Sequence, residues 1–143
     1  MSRPVVELDH FDVHRARSAV GLLREFNEGG VLNAADVHVA RRLGELSGES
    51  DELVLLGVAL AVRGPRLGHV HVDLATIRET ATVDAEEAVD LAALPWPAGD
   101  SWIRRMASSA LVMVGEQQDE PSGPLRLVGS WLYLDRYWRS SRQ

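Results

Sequence analysis

Apolar residues recur at helical spacing along the first half of the chain. A first helix is predicted over residues 12–28, because one face of that stretch collects Val13, Ala16, Val20, Leu23 and Phe26. Gly29-Gly30 provides its stop, since glycine adopts the left-handed conformation that ends helices at little cost. Asn33 is then a typical N-cap for a second helix, which the pattern extends to about Ser47.

A third helix and a strand follow. The helix is predicted to begin after Ser50 as N-cap and to end at about Arg63, before Gly64-Pro65. It is apolar on most faces, so we expect it to lie at the centre of the fold. The period then changes from helical to alternating over His69–Leu74, which predicts a strand.

The second half of the chain alternates short helices with strand-compatible runs. The predicted elements are a short helix at 75–81, a helix at 84–93, an elbow at Pro95-Trp96-Pro97, a helix at Ser101–Ser109 capped by Asp100, and a strand at Leu111–Val114. After a polar loop at 116–124, the runs Leu125–Val128 and Trp131–Leu134 flank Gly129-Ser130. This arrangement predicts a hairpin with a type II′ turn. Asp135 is predicted to be the N-cap of a last helix.

These elements indicate an α+β fold that is mainly helical. We predict an N-terminal helical lobe over residues 1–48, then a winged-helix-like unit over 49–135 with a small antiparallel sheet and the C-terminal hairpin. Residues 136–143 would begin a helix that leads onward. The order of elements is equally compatible with another helical bundle that carries a small sheet.

Composition removes most catalytic chemistry from consideration. The 143 residues contain neither cysteine nor lysine, which excludes a disulfide framework, a thiolate metal site, a cysteine nucleophile and a Walker A lysine. The Gly-rich dinucleotide fingerprint, the nucleophile elbow and the zinc-protease motif are also absent. We therefore expect no catalytic residue, metal or cofactor in this chain. No apolar run approaches a membrane span and no secretory signal begins the chain, so we expect a cytoplasmic protein.

Charge argues against a binder of nucleic-acid phosphates. The net charge is -6, and residues 1–100 hold 9 arginines against 17 acidic residues. Residues 101–143 are weakly basic, with 6 arginines against 4 acids. A winged-helix nucleic-acid-binding role would use Arg104, Arg105 and Arg126 for DNA contact; the alternative is that these arginines lie on solvated faces.

One group of residues has the composition of a metal site. His69, His71 and Asp73 alternate along the predicted strand and would share one face, about 7 Å apart. Two imidazoles and a carboxylate are a possible ligand set, but three side chains on one strand do not converge as a tetrahedral site requires. We interpret them instead as the solvated face of the strand.

Aromatic residues offer a better candidate for function. Six of them gather in the last third of the chain: Trp96, Trp102, Trp131, Tyr133, Tyr137 and Trp138. Some will fill the core. However, Trp131 and Tyr133 face one way on their predicted strand while Leu132 and Leu134 face the other, and only one face can be the core. Because exposed tryptophan and tyrosine dominate protein interfaces, we interpret the set as a candidate partner-docking surface.

Three stretches carry a resemblance to a known family. The end segment from Leu125 to Trp138 resembles the RecD family pattern of an apolar strand, a tight turn and then L-Y-L-[DN]-R-x-W. Gly68–Leu74 is similar to the family's G-H-V-x-x-x-L strand, and Ser50-Asp-Glu with the apolar helix behind it fits as well. Together the resemblance covers about residues 30–143.

The resemblance implies the N-terminal, non-ATPase domain of the RecD subunit of the RecBCD exonuclease V complex. The parent subunit would be an ATP-dependent 5′-to-3′ DNA helicase, and the motifs for ATP and Mg²⁺ would lie beyond Gln143. In the family this domain packs against the RecC subunit, and through it RecB, in recombinational repair of double-strand breaks. DNA would be bound by the parent complex rather than by this domain, and no family catalytic residue falls on these 143 positions.

Overall fold

A computed structural model describes residues 21–80, 93–116 and 123–141. The predicted helix over 84–93 falls almost wholly outside these ranges. The same is true of the first part of the predicted helix over 12–28 and of most of the polar loop.

The described residues form six helices and four strands. The helices are α1 (Gly21–Glu28), α2 (Ala34–Ser47), α3 (Glu52–Arg66), α4 (Ile77–Thr80), α5 (Gly99–Ala107) and α6 (Asp135–Ser141). The strands are β1 (His71–Asp73), β2 (Val112–Val114), β3 (Leu125–Val128) and β4 (Trp131–Leu134). The prediction of a mainly helical α+β fold is confirmed.

Helix α2 begins and ends as its sequence predicts. The side chain of Asn33 accepts a hydrogen bond from the Asp36 backbone N–H, and the Asp36 carboxylate accepts one from the Asn33 backbone N–H. This reciprocal pair satisfies two amide groups that a helix start leaves without partners. Gly48, with φ of 79°, ends the helix in the left-handed conformation.

Both ends of α3 differ from prediction. The N-cap is Asp51 rather than Ser50, because the Asp51 carboxylate accepts from the Leu53 backbone N–H at 3.0 Å. The helix also continues through Gly64-Pro65 to Arg66. Proline's fixed φ suits a helix, and in the last turn its missing N–H removes a single hydrogen bond.

The extended end of α3 also shortens the strand that follows. The His69 backbone N–H donates to the Gly64 carbonyl at 2.9 Å, and Gly68 has φ of 86°. This hydrogen bond and the left-handed Gly68 place residues 67–69 in the cap that follows the last residue of the helix. Strand β1 therefore begins only at His71, two residues later than the alternating pattern predicts.

The sheet is mixed, so the prediction of an antiparallel sheet is wrong for one strand pair. Its strand order is β1-β4-β3-β2, and β4 pairs antiparallel with both β1 and β3. Strand β2 instead runs parallel to β3, with Val112 opposite Leu125. Gly123 and Leu125 lie beside Leu111, just before the start of β2, so β3 begins at the same end of the sheet as β2 and the pair is parallel.

The hairpin has the predicted turn. Val128 lies opposite Trp131, so Gly129 and Ser130 alone connect β3 to β4. Gly129 has φ of 62°, and none of the described non-glycine residues has a positive φ, so the sign changes between the two turn residues as in type II′. The winged-helix arrangement and the division at residues 48 and 135 stay predictions.

Helix α3 lies at the centre, as its apolar sequence predicts. It packs against α1, α2, α5, β1 and β4. Its fully buried residues include Leu56, Val58 and Leu60. Gly57 allows the closest approach, since a Cβ built there would lie 2.6 Å from Met106 Sδ and 3.5 Å from Leu132 Cδ2.

Helix α5 begins earlier than predicted. Its N-cap is Ala98, which makes no side-chain capping bond. Asp100 lies inside the first turn, where its negative charge interacts favourably with the helix dipole, so it is not the N-cap. Its apolar face is the predicted one, with Trp102 and Met106 buried and Ile103 packed against the core.

Gly57→Ala should destabilise the fold by about 1–3 kcal/mol, because the added methyl group overpacks the contact with buried Met106. Helix propensity alone would favour alanine by about 1 kcal/mol, so the sign of the change in the free energy of unfolding distinguishes packing from propensity. Urea unfolding of the single variants and of Gly57→Ala/Met106→Ala measures the coupling. If packing is the cause, the double variant should lose less unfolding free energy than the two single variants together. A loss equal to their sum would contradict the packing explanation.

Candidate functional site

The sheet has an apolar face and a polar, aromatic face. Val72, Leu127 and Leu132 share one cross-strand row and are buried in the core. The opposite face, here called the outer face, carries the alternate residues: His71, Asp73, Arg126, Trp131 and Tyr133. The predicted separation of Trp131 and Tyr133 from Leu132 and Leu134 is thus observed.

One half of the outer face is open to solvent. The imidazole of His71 stacks on the indole of Trp131, with ring centres 4.2 Å apart and planes inclined by 13°. The Tyr133 ring lies 5.3 Å from the same imidazole, but this residue is itself buried. Trp131 nevertheless remains 44% exposed. Burial lowers the pKa of His71 below its ordinary 6.5; the Asp73 carboxylate opposes this effect and His69 adds to it.

Asp73 is committed to local structure. Its Oδ1 accepts from Ser130 Oγ at 2.7 Å and from the Ala75 backbone N–H at 2.9 Å. Burial alone would raise the pKa of Asp73, but these hydrogen bonds outweigh it and hold the pKa below its ordinary value. Within the described ranges, no group of three His, Cys, Asp or Glu side chains is placed to hold a metal ion.

The other half of the outer face is covered by α6. Arg126 is only 2% exposed, and its Nε donates to Asp135 Oδ1 at 3.1 Å. Its Nη1 donates to the Gly115 carbonyl at 3.0 Å, and its guanidinium lies 4.0 Å from the centre of the Trp138 ring. Arg139 Nε donates to the second carboxylate oxygen of Asp135 at 2.6 Å. A buried arginine is thus held by a carboxylate, a carbonyl and an aromatic face.

This burial changes the interpretation of two predicted site residues. Arg126 cannot reach a DNA phosphate in this fold, because Asp135, Gly115 and Trp138 enclose its guanidinium. Trp138 is 2% exposed and packs inside the domain rather than on its surface. The buried pair of Arg126 and Asp135 was not predicted. The hairpin register alone would have placed them diagonally across the ladder, since Leu125 pairs with Leu134.

Trp96 and Trp102 form a separate cluster. Trp102 is buried, and its indole N–H donates to the Leu53 carbonyl at 2.8 Å. The half-buried Trp96 packs edge-on against Phe26, with ring centres 4.6 Å apart, and lies 6.5 Å from Trp102. Together they join α1, α3 and α5 around the proline elbow. Of the six predicted docking aromatics, Trp131 is the exposed one, while Tyr137 is half-buried beside Arg136.

Arg104 and Arg105 lie exposed on α5, as a solvated or DNA-contacting face requires. They border a groove of about 470 Å³ together with Ser101, Glu49 and Asp51. Arg105 Nη1 is 2.8 Å from Asp51 Oδ2. Carboxylates therefore share this groove with both arginines, which reduces its attraction for phosphate.

The apolar content of the described helices is that of a packed core. None of the helices that the structure describes is long and apolar enough to cross a membrane.

Comparison with protein families shows the family of this chain. The family described as the N-terminal domain of RecBCD enzyme subunit RecD matches residues 28–133. The match covers the central helix, the sheet except for the last residue of β4, and the outer-face residues His71 and Trp131.

Comparison with individual proteins agrees. The chain is 45% identical over 133 residues to the RecBCD enzyme subunit RecD of Mycobacterium tuberculosis, which covers 92% of this chain and 20% of that protein. It is 44% identical over 124 residues to the protein of the same description from Mycolicibacterium smegmatis, covering 87% of this chain and 19% of the relative. The chain thus spans about a fifth of the length of these relatives.

Asp135→Asn should destabilise the domain by about 3–5 kcal/mol, because it leaves the charge of buried Arg126 without its carboxylate. Guanidinium unfolding provides the measurement, and Asp100→Asn, the same change at an exposed helix position, is the matched control. The double variant Arg126→Met/Asp135→Asn should recover part of the loss. Equal stability of the two Asp→Asn variants would show that the buried pair does not hold α6.

The free energy of unfolding should fall as the pH drops below about 6.5. The folded-state pKa of His71 is lowered, so the unfolded chain binds the proton first, and the stability present above pH 6.5 is lost towards the lower, folded-state pKa. Denaturant unfolding at a series of pH values from about 5 to about 8 tests this in the wild type and in His71→Phe. The variant should show the weaker pH dependence; identical curves would mean that His71 is not responsible.

Proposed function

Because the chain belongs to the family of RecBCD subunit RecD N-terminal domains, we propose that it is the non-catalytic N-terminal domain of a RecD-type subunit and docks that subunit onto RecC. In this proposal the domain contributes binding surface rather than chemistry. RecC is the direct partner, and RecB associates through RecC.

We propose that the activity of the whole subunit belongs to the four-fifths of the relatives' length that this chain does not cover. We propose that the parent protein is an ATP-dependent 5′-to-3′ helicase subunit of exodeoxyribonuclease V that acts in double-strand-break repair. ATP and Mg²⁺ would be bound by that remaining part, and this domain would bind no cofactor of its own. The proposal is supported by the absence of lysine and cysteine from all 143 residues.

The exposed stack of His71 on Trp131 is the observation that carries the docking role. A large indole at 44% exposure leaves apolar area in water, and burying it against a partner would be favourable. The stack also fixes the indole in place, so less side-chain entropy is lost on binding. Tryptophan in such a position is typical of interface hot spots. The proposed docking surface therefore includes fewer residues than the six aromatics predicted from the sequence, and it centres on His71 and Trp131.

Nucleic-acid binding is the alternative role, and the exposure of Arg104 and Arg105 is what favours it. Two observations count against it. Arg105 is paired with Asp51, and Arg126 is enclosed within the domain. A DNA-binding surface would need several free cations on one face, together with an affinity that falls steeply with salt.

Trp131→Ala should weaken the association with RecC by about 2 kcal/mol, roughly thirtyfold, and leave the domain folded, because the indole is 44% exposed and lies outside the buried core. Trp138→Ala is the contrasting variant: it removes a buried ring from beneath Arg126 and should destabilise the domain by about 3–5 kcal/mol. Calorimetric titration against RecC and circular dichroism separate loss of binding from loss of fold.

The same titrations distinguish the two roles. A docking domain should bind RecC and ignore duplex DNA ends. Binding to duplex ends at physiological salt without association to RecC would overturn the docking proposal. Normal association of folded Trp131→Ala would show that the exposed stack is not the interface.

A further inference from the structure

An apolar groove lies on the helical side of the molecule, and no residue of the outer face lines it. It lies where α1, α2 and the start of α3 meet, and has a volume of about 520 Å³. Leu23 and Leu55 contribute its apolar lining, and Gly44 and Gly48 also border it. The proposed contact of the outer face does not involve these residues.

The two glycines that border this groove have different surroundings. Gly44 brings α2 close to the start of α3, since a Cβ there would lie 2.8 Å from the Glu49 carbonyl oxygen and 2.8 Å from Leu55 Cδ2. Gly48 is different, because a Cβ there would meet nothing within 4 Å. Gly44 therefore allows the two helices to pack closely, while Gly48 leaves open space at the mouth of the groove.

The rim of the groove carries negative charge that is held in place by neutral donors. Glu49 accepts from Ser109 Oγ at 2.7 Å and from the Asp51 backbone N–H at 3.0 Å. Glu52 accepts from the Leu22 backbone N–H. In the described part of the chain, no cation lies within salt-bridge distance of either carboxylate. These hydrogen bonds orient the carboxylates without cancelling their charge.

Glu45 adds a third carboxylate to the rim, 3.7 Å from an exposed arginine on its own helix. Arg41 is the single basic side chain among the described residues that line the groove. The groove therefore combines an apolar floor with a net negative rim, within a stretch of chain that is strongly acidic. An occupant with complementary chemistry presents an apolar side chain flanked by cations.

We propose that this groove receives an apolar segment of RecC flanked by arginine or lysine residues, as a second contact beside the His71–Trp131 stack. The identification of RecC rests on the proposed function; the chemistry of the segment rests on the groove. An apolar side chain enters between Leu23 and Leu55, and the flanking cations pair with Glu49 and Glu52. Such pairing gives this contact a dependence on ionic strength that the stack alone lacks.

Two kinds of variant test the groove without removing core side chains. Glu49→Gln/Glu52→Gln removes both charges and keeps an acceptor oxygen at each position. Gly48→Asn places a side chain at the open mouth, and asparagine tolerates the left-handed φ of 79°. The matched control is Glu25→Gln/Glu79→Gln, which makes the same charge change at exposed positions outside the groove. Circular dichroism establishes that each variant is folded.

In titrations against RecC, the double Glu variant should bind about tenfold more weakly than wild type, with a flatter dependence on salt. Gly48→Asn should bind more weakly at every salt concentration, and the control should match wild type. Wild-type affinity and salt dependence in both folded groove variants, together with loss of binding in Trp131→Ala, would overturn the groove contact and leave the docking role standing.

Other results are equally decisive. Absence of any association between the wild-type chain and RecC overturns the docking role, and the groove contact with it. The variant Arg15→Gln/Arg17→Gln tests whether basic residues near the start of this chain compete with RecC for the groove. Tighter binding of RecC by that variant would assign the groove to residues 1–20 and would overturn the proposal.

Discussion

The fold depends on the burial of a single helix on nearly all sides. Helix α3 is apolar around most of its circumference, so no single neighbour can remove it from water. Two helices cover one side, α5 another, and the sheet covers the rest through β1 and β4. Gly57 marks where this enclosure is tightest, between Met106 and Leu132. Helices α1, α2 and α5 and strands β1 and β4 occupy the positions they do because each covers part of α3.

Residues whose partners are close in the chain were predictable. The capping box of Asn33 and Asp36, the turn at Gly129 and the alternation of Trp131 with Leu132 follow from local geometry, and each is observed. The exact start of α3 was not predictable, because Ser50 and Asp51 are both good caps and the choice depends on which oxygen reaches the Leu53 N–H. The parallel pairing of β2 depends on a chain return that no local pattern specifies.

In the candidate site, too, the local features were predictable and the long-range contacts were not. Alternation predicted which residues share the outer face, but not which of them solvent reaches. That outcome depends on α6, which covers Arg126 and leaves Trp131 open. A cation predicted for DNA contact thus became an internal support, because a carboxylate nine residues later was brought beside it. The stack of His71 on Trp131 required the register of β1 against β4, which joins residues 60 positions apart.

The two-residue turn of the hairpin has a consequence for how the chain tolerates insertions. Because side chains alternate strictly along a strand, the face on which each residue of β3 and β4 lies depends on its distance along the chain from the turn. One added residue before Gly129 would exchange the faces of β3 alone, turning the Arg126 guanidinium into the core and Leu127 into solvent. Two added residues would restore the parity. Length changes in this segment are therefore expected in pairs among descendants of the sequence, even where the side chains themselves drift freely.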